Sequence, residues 1–215
     1  MKIDIPIYAI DFEGSKSCGI VEFGAVEILN GEISRAFTSV CAPHGRISKA
    51  EERLFNINEA SAAQCAPFES HLPFFANLRA NGIFAAHHSP TEDAFLRYYA
   101  PSCGQNPYFL ENGKTSSDWG PWIDTCVFVK NICAGLKSAK LEEAVNALGI
   151  KEALEEAAQK YCPKDRRAWH CALYDALASA LIITSTGKRA GFENMSLEWL
   201  AKFAGVKNAG QGTLF

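Results

Sequence analysis

The chain has 215 residues, 48% of them hydrophobic, which is enough to bury one sizeable core and points to a single folded unit. A net charge of −3 argues against broad electrostatic coating of nucleic acid, though it leaves room for a local basic track beside an acidic site. Eight cysteines without a Cys-x-x-Cys pair, together with no secretory signal and no long apolar span, imply reduced thiols in a soluble cytoplasmic protein with no membrane role.

Apolar and polar positions alternate over residues 5–11, 19–29 and 33–40, and Asn30-Gly31 suits a hairpin turn. The first forty residues therefore predict a three-stranded antiparallel meander. A helix follows over residues 68–80, then a short strand over 83–86 and a helix starting near Thr91. Residues 122–124 form another strand, and helices are expected over 140–148, 151–160, 171–185 and 196–203. This order predicts an α/β fold, a mixed central sheet that begins with the meander and is flanked by helices. The expected organisation is a domain over residues 1–206 and a polar, Gly-containing tail over 207–215.

Three segments carry chemistry. In Ile10-Asp11-Phe12-Glu13-Gly14, side chains repeat every two residues, so Asp11 and Glu13 project to one side and Phe12 into the opposite layer. Adjacent carboxylates repel unless a proton or a hard cation such as Mg²⁺ intervenes; a solvated strand end is the alternative. In Trp169-His170-Cys171-Ala172-Leu173-Tyr174-Asp175, positions five apart on a helix diverge, so His170 and Asp175 meet only if His170 sits in the loop before the helix. His170 would then serve as general base with Asp175 as a ligand; otherwise His170 is a first-turn residue and Asp175 an exposed acid. The third segment, Ala86-His87-His88-Ser89-Pro90-Thr91-Glu92-Asp93, joins a strand end to a helix start. Ser89-x-x-Glu92 has the form of a capping box, which accounts for Glu92 without a metal, while a first-turn acid at the lip of the sheet would also lie near Asp11 and Glu13.

In this order and spacing the three segments resemble the DEDD superfamily of 3′–5′ exonucleases, in its histidine-containing, DnaQ-like branch. Trp122-Ile-Asp-Thr-Cys is similar to that family's Asp-Thr stretch, and Lys140-Leu-Glu-Glu-Ala-Val-Asn-Ala-Leu-Gly-Ile to its following helix; the likeness spans about residues 5 to 185. The resemblance implies an RNase H-like exonuclease fold and two Mg²⁺ or Mn²⁺ ions held by Asp11, Glu13, Glu92 and Asp175. It also implies His170 as general base and release of 5′-nucleoside monophosphates from 3′ ends; DNA, in replication or repair, is the expected substrate because the last five residues resemble a clamp-binding peptide. The family usually has Asp at the second-motif position. Here Glu92 falls at that position, with Asp93 beside it as the alternative ligand, and His88 replaces the family's Asn.

Lys164, Arg166 and Arg167, and more weakly Lys188 and Arg189, are candidate phosphate contacts, and Phe12 and Tyr108 candidate stacking surfaces, with core packing favoured for Phe12. The segment Gln211-Gly212-Thr213-Leu214-Phe215 resembles the peptide with which bacterial replication and repair proteins bind the sliding clamp, Leu214 and Phe215 filling an apolar pocket and Gln211 fixing orientation. Competing readings are an RNA-trimming enzyme of the same branch, a catalytically silent binding module, and a cysteine hydrolase for which Cys171 beside His170 is the weak candidate.

Overall fold

The computed structural model describes residues 1, 3–136 and 138–205, so the expected tail with Gln211, Leu214 and Phe215 lies outside the described residues. Strands β1 (Ile7–Ser15), β2 (Gly19–Leu29) and β3 (Glu32–Val40) form the expected antiparallel meander. Asn30 and Gly31 turn β2 into β3 with positive φ angles of 53° and 81°, the conformation a tight hairpin requires. Strands β4 (Ile83–Ala86) and β7 (Trp122–Asp124) extend the sheet on the other side, β4 parallel to β1 and β7 parallel to β4, giving the order β3-β2-β1-β4-β7. Two short strands, β5 (Asn106–Pro107) and β6 (Thr115–Ser116), pair separately.

Nine helices accompany the sheet among the described residues: α1 (Lys49–Phe55), α2 (Glu59–Ala62), α3 (Leu72–Asn81), α4 (Ser89–Tyr99), α5 (Thr125–Ile132), α6 (Leu141–Ala147), α7 (Lys151–Tyr161), α8 (Ala172–Gly187) and α9 (Leu197–Phe203). Helices α1, α2 and α5 lie outside the ranges expected from the sequence. The expected helix over 68–80 is split, since a tighter 3₁₀ turn at Phe68–His71 precedes α3.

The sheet divides two cores by strand alternation. Ile7 and Ala9 of β1 and Val26 and Ile28 of β2 face α8 and its neighbouring helices. Tyr8, Ile10, Phe12, Phe23 and Ala25 face the aromatic layer with Phe68, Phe75 and Leu96. Because both faces are covered, β2 is buried from Gly19 to Ile28, and α8 is buried around almost its whole circumference. Gly24 lets β2 and α8 come close together: a Cβ there would stand 2.4 Å from the backbone of Ala172 at the start of α8.

Candidate active site

Parity along β1 continues past the apolar run, so Asp11 and Glu13 share the α8 side with Ile7 and Ala9. The strand runs on to Ser15, with a register shift between Glu13 and Gly14. Phe12 lies in the opposite layer, edge-on to Phe68 and Phe75 with ring centroids 5.4 Å away in each case. It serves packing, the role favoured for it over stacking. Glu13, Glu92 and Asp175 are 7%, 5% and 8% exposed, and Asp11 is half-buried.

Glu92 reaches this point because α4 starts in an unexpected way. The Ser89-x-x-Glu92 capping box does not form: His88, at φ 74°, is the N-cap and makes no side-chain cap bond. Asp124, at the end of β7, takes over that task. Its carboxylate accepts from the backbone N–H groups of His88 (3.3 Å) and Ser89 (3.0 Å) and from the Ser89 hydroxyl (3.2 Å), and also from the N–H groups of Cys126 and Val127 that open α5. One carboxylate thus caps two helices and leaves Glu92 free. His87 is a strut, bonded through Nδ1 to the Thr125 hydroxyl at 3.0 Å and through Nε2 to the Ala139 carbonyl at 2.6 Å. The two candidates of the second motif separate. Asp93 turns outward to Arg97 and the Trp122 indole N–H, which leaves Glu92 as the acid that enters the cluster.

His170 occupies the turn before α8, at φ 62°, and its backbone N–H donates to Asp175 Oδ2 at 3.2 Å. The loop placement required for His170 and Asp175 to meet is the one observed. A ring nitrogen of His170, a carboxylate oxygen of Glu13 and one of Asp175 lie within 4.8 Å of one another.

The electrostatics follow from this crowding. Burial, then the charges of Asp175, Glu92, Glu13 and Glu22, holds the Asp11 carboxyl well above the ordinary range. Glu92 is raised well above its ordinary value by burial and by Glu13, against an opposing backbone hydrogen bond from Phe12. Burial, Asp175 and Glu22 push Glu13 up to about 8, against the opposing charge of Arg166. Burial also raises Asp175 to about 7, while its bond from the His170 backbone works the other way. Glu92 Oε2 and Asp175 Oδ1 are buried without a hydrogen-bond donor among the described residues. Hard oxygen donors, mutual repulsion and two orphaned lone-pair sites fit divalent cations such as Mg²⁺ or Mn²⁺.

The basic residues expected at phosphate are otherwise engaged. Arg166 is buried and forks onto Glu22, Arg167 donates to the Gln159 and Cys162 carbonyls, Lys188 pairs with Glu32, and Arg189 donates to the Leu148 carbonyl. Lys164 remains exposed. Tyr108 is 4% exposed and has Lys114 over its ring, which removes it as a stacking surface. An apolar groove of about 540 Å³ beside the cluster instead presents Ser15, Lys16, Pro90, Thr91, Phe95 and Tyr98, with Tyr98 68% exposed. The Cys171 thiol is buried and pushed up to about 11 by burial, which makes it a poor nucleophile. All eight cysteines are free, and no helix among the described residues is long and apolar enough to cross a membrane.

A mixed sheet opening with an antiparallel meander, carrying Asp-x-Glu on its first strand and a His–Asp pair at the start of α8, defines an exonuclease domain with an RNase H-like fold. The exonuclease family model RNase_T matches residues 9–183, and the chain belongs to that family, within the DEDD superfamily. The DNA polymerase III PolC-type protein of Thermotoga petrophila is 26% identical over 132 residues, covering 61% of this chain, and that of Clostridium perfringens is 26% identical over 136 residues, covering 63%. The chain spans only 9% of the length of each of these relatives. Among solved structures, exonuclease X in complex with 5′ overhanging duplex DNA superposes with a TM-score of 0.55 at 19% identity, covering 93% of this chain and 98% of that one. Escherichia coli exonuclease I in complex with a dT13 oligonucleotide gives 0.61 at 13% identity, covering 86% and 41%. A 3′-exonuclease whose structure concerns 3′-end recognition of histone mRNA stem-loop gives 0.57 at 15%, covering 86% and 83%.

Proposed function

We propose that the protein is a divalent-metal-dependent 3′–5′ exonuclease that removes 5′-nucleoside monophosphates from DNA 3′ ends. The observation that carries this reading is the meeting of Glu13, Asp175 and His170 within 4.8 Å, with Asp11 and Glu92 near enough to oppose ionisation in the same cluster and with Glu92 Oε2 and Asp175 Oδ1 orphaned. Those four acids would hold two Mg²⁺ or Mn²⁺ ions, whose bound charge supplies Lewis acidity toward the attacking and departing oxygens of the last phosphodiester. His170, exposed on its turn, takes the proton of the attacking water at a ring nitrogen and passes it to solvent. Asp175 accepts from the His170 backbone and so aligns that turn. The groove receives the terminal nucleotides, with the Tyr98 ring as a face for base stacking and Lys16 beside the backbone.

The PolC-type relatives and the exonucleases bound to DNA favour a DNA substrate in replication or repair. The histone mRNA exonuclease is the observation in favour of RNA. Digestion of matched 5′-labelled DNA and RNA oligonucleotides with Mn²⁺, beside an Asp11→Ala control, decides the matter. A DNA ladder shrinking from the 3′ end and lost in the control is expected; cleavage of RNA alone transfers the proposal to the exoribonuclease, and equal cleavage by the control removes the metal assignment.

The segment Gln211-Gly212-Thr213-Leu214-Phe215 is proposed as a peptide ligand of a bacterial sliding clamp, Leu214 and Phe215 entering an apolar pocket. Deleting it should abolish clamp binding without altering hydrolysis of short oligonucleotides; undiminished clamp affinity would refute the assignment.

A further inference from the structure

Two buried residues outside the proposed ligand set hold the loop that carries His170. Glu22 on β2 is 2% exposed and stands opposite Glu13 in the β1–β2 ladder. Arg166 is 7% exposed and grips Glu22 with two parallel bonds, from Nε to Oε1 at 2.9 Å and from Nη2 to Oε2. The same Oε2 accepts the backbone N–H of Ala172 at 2.9 Å. Arg166 Nη1 donates in turn to the carbonyls of Phe55 and Asn56, both at 2.8 Å, which fastens the end of α1 to the same point.

A single carboxylate therefore anchors the chain on both sides of His170, four residues before it and two residues after it. His170 itself adopts a left-handed conformation that a non-glycine residue holds only when its surroundings impose it. Its remaining backbone tie is to Asp175. Since Glu22 is the cross-strand neighbour of Glu13, the loop is registered directly to the strand that carries Asp11 and Glu13.

We infer that Glu22 and Arg166 are positioning residues for the hydrolytic step, acting through His170: they fix the height and orientation of its turn above the acidic cluster. The inference rests on the exonuclease reading, with His170 as proton acceptor. A misplacement on the scale of 1 Å costs on the order of 10²-fold in rate, so a loosened turn is expected to lower kcat with little change in KM.

The test is a double-mutant cycle on a 5′-labelled oligonucleotide, with Arg166→Lys, which keeps the charge and loses the fork, and Glu22→Gln, of nearly the same shape. Each is made alone and combined with His170→Ala. In the wild-type background each should lower kcat about 10-fold or more, and in the His170→Ala background by less than about twofold. The same factor in both backgrounds, or no loss in either, overturns the inference. Amide hydrogen exchange reads it without activity: His170 and Ala172 should lose protection in either variant while the β1–β2 amides keep theirs. Unchanged protection at those two amides overturns it as well. Should one variant fail to fold, the other decides; should the wild-type enzyme cleave nothing, the exonuclease reading fails and the exchange result still judges the anchor.

Discussion

At the scale of single residues, the site is a set of charges that the fold stabilises poorly by itself. Asp11 is an instance, with burial and four neighbouring carboxylates opposing its ionisation. Asp11→Asn should therefore abolish turnover and yet raise the Tm of the metal-free protein at pH 8 by about 2–4 °C, on the order of 1 kcal/mol for a chain of this size. A lower Tm would mean that the acid stabilises the fold rather than straining it. Asp11, Glu13 and Asp175 were legible in the sequence because strand parity and a helix start are local patterns. Glu22 was not, since it is one more acid on an apolar strand until pairing sets it opposite Glu13 and 144 residues of separation close to bring up Arg166. The same nonlocal closure removed Arg166 from the candidate phosphate contacts.

Among the elements, Asp124 has the largest reach. It ends β7, starts α5 and caps α4 across 35 residues, so β7 sets both the position of α4 and the direction in which Glu92 enters. With each cap worth about 1 kcal/mol, Asp124→Ala should cost about 2 kcal/mol and weaken divalent-cation binding through Glu92. A thermal melt and a Mn²⁺ titration check both effects, and a loss below about 0.5 kcal/mol would show that water replaces the caps. This element also shows where local reading stops. Ser89-x-x-Glu92 and Ser48-x-x-Glu51 have the same pattern, but only Ser48 and Glu51 form the reciprocal box, at the start of the unexpected helix α1. At Ser89 the box is lost because His88 holds the N-cap position, and the Ser89 backbone N–H that Glu92 would accept is taken by the Asp124 carboxylate.

For the whole molecule, the cluster ties stability to pH and to cations. An acid with a raised native pKa holds its proton more tightly folded than unfolded, so the native state loses stability as pH climbs from the ordinary carboxylate value through the raised one. Glu13, rising from 4.5 to about 8, and Asp175, rising from 3.8 to about 7, place that loss between pH 3.8 and about 8 in metal-free protein. Divalent cation at 100 times its Kd should restore about 2.7 kcal/mol per site, with the gain in Tm larger at pH 8 than at pH 5. A gain independent of pH would separate the cation from these carboxylates. The meander and the mixed character of the sheet were legible, whereas the places of β4 and β7 beyond β1 were not, since parallel pairing joins strands distant in the chain; of the unexpected helices, α2 spans only four residues and α5 is opened by the carboxylate that ends β7. The Phe12 ring, seated among Phe68 and Phe75 between the two acids, bears on error as much as on packing. Slipping β1 by one position would drive both carboxylates into the aromatic layer and swing the phenyl ring out toward α8. A misthreaded first strand thus cannot yield a folded but idle enzyme: the mistake that would disarm the chemistry is one that the chain cannot fold around.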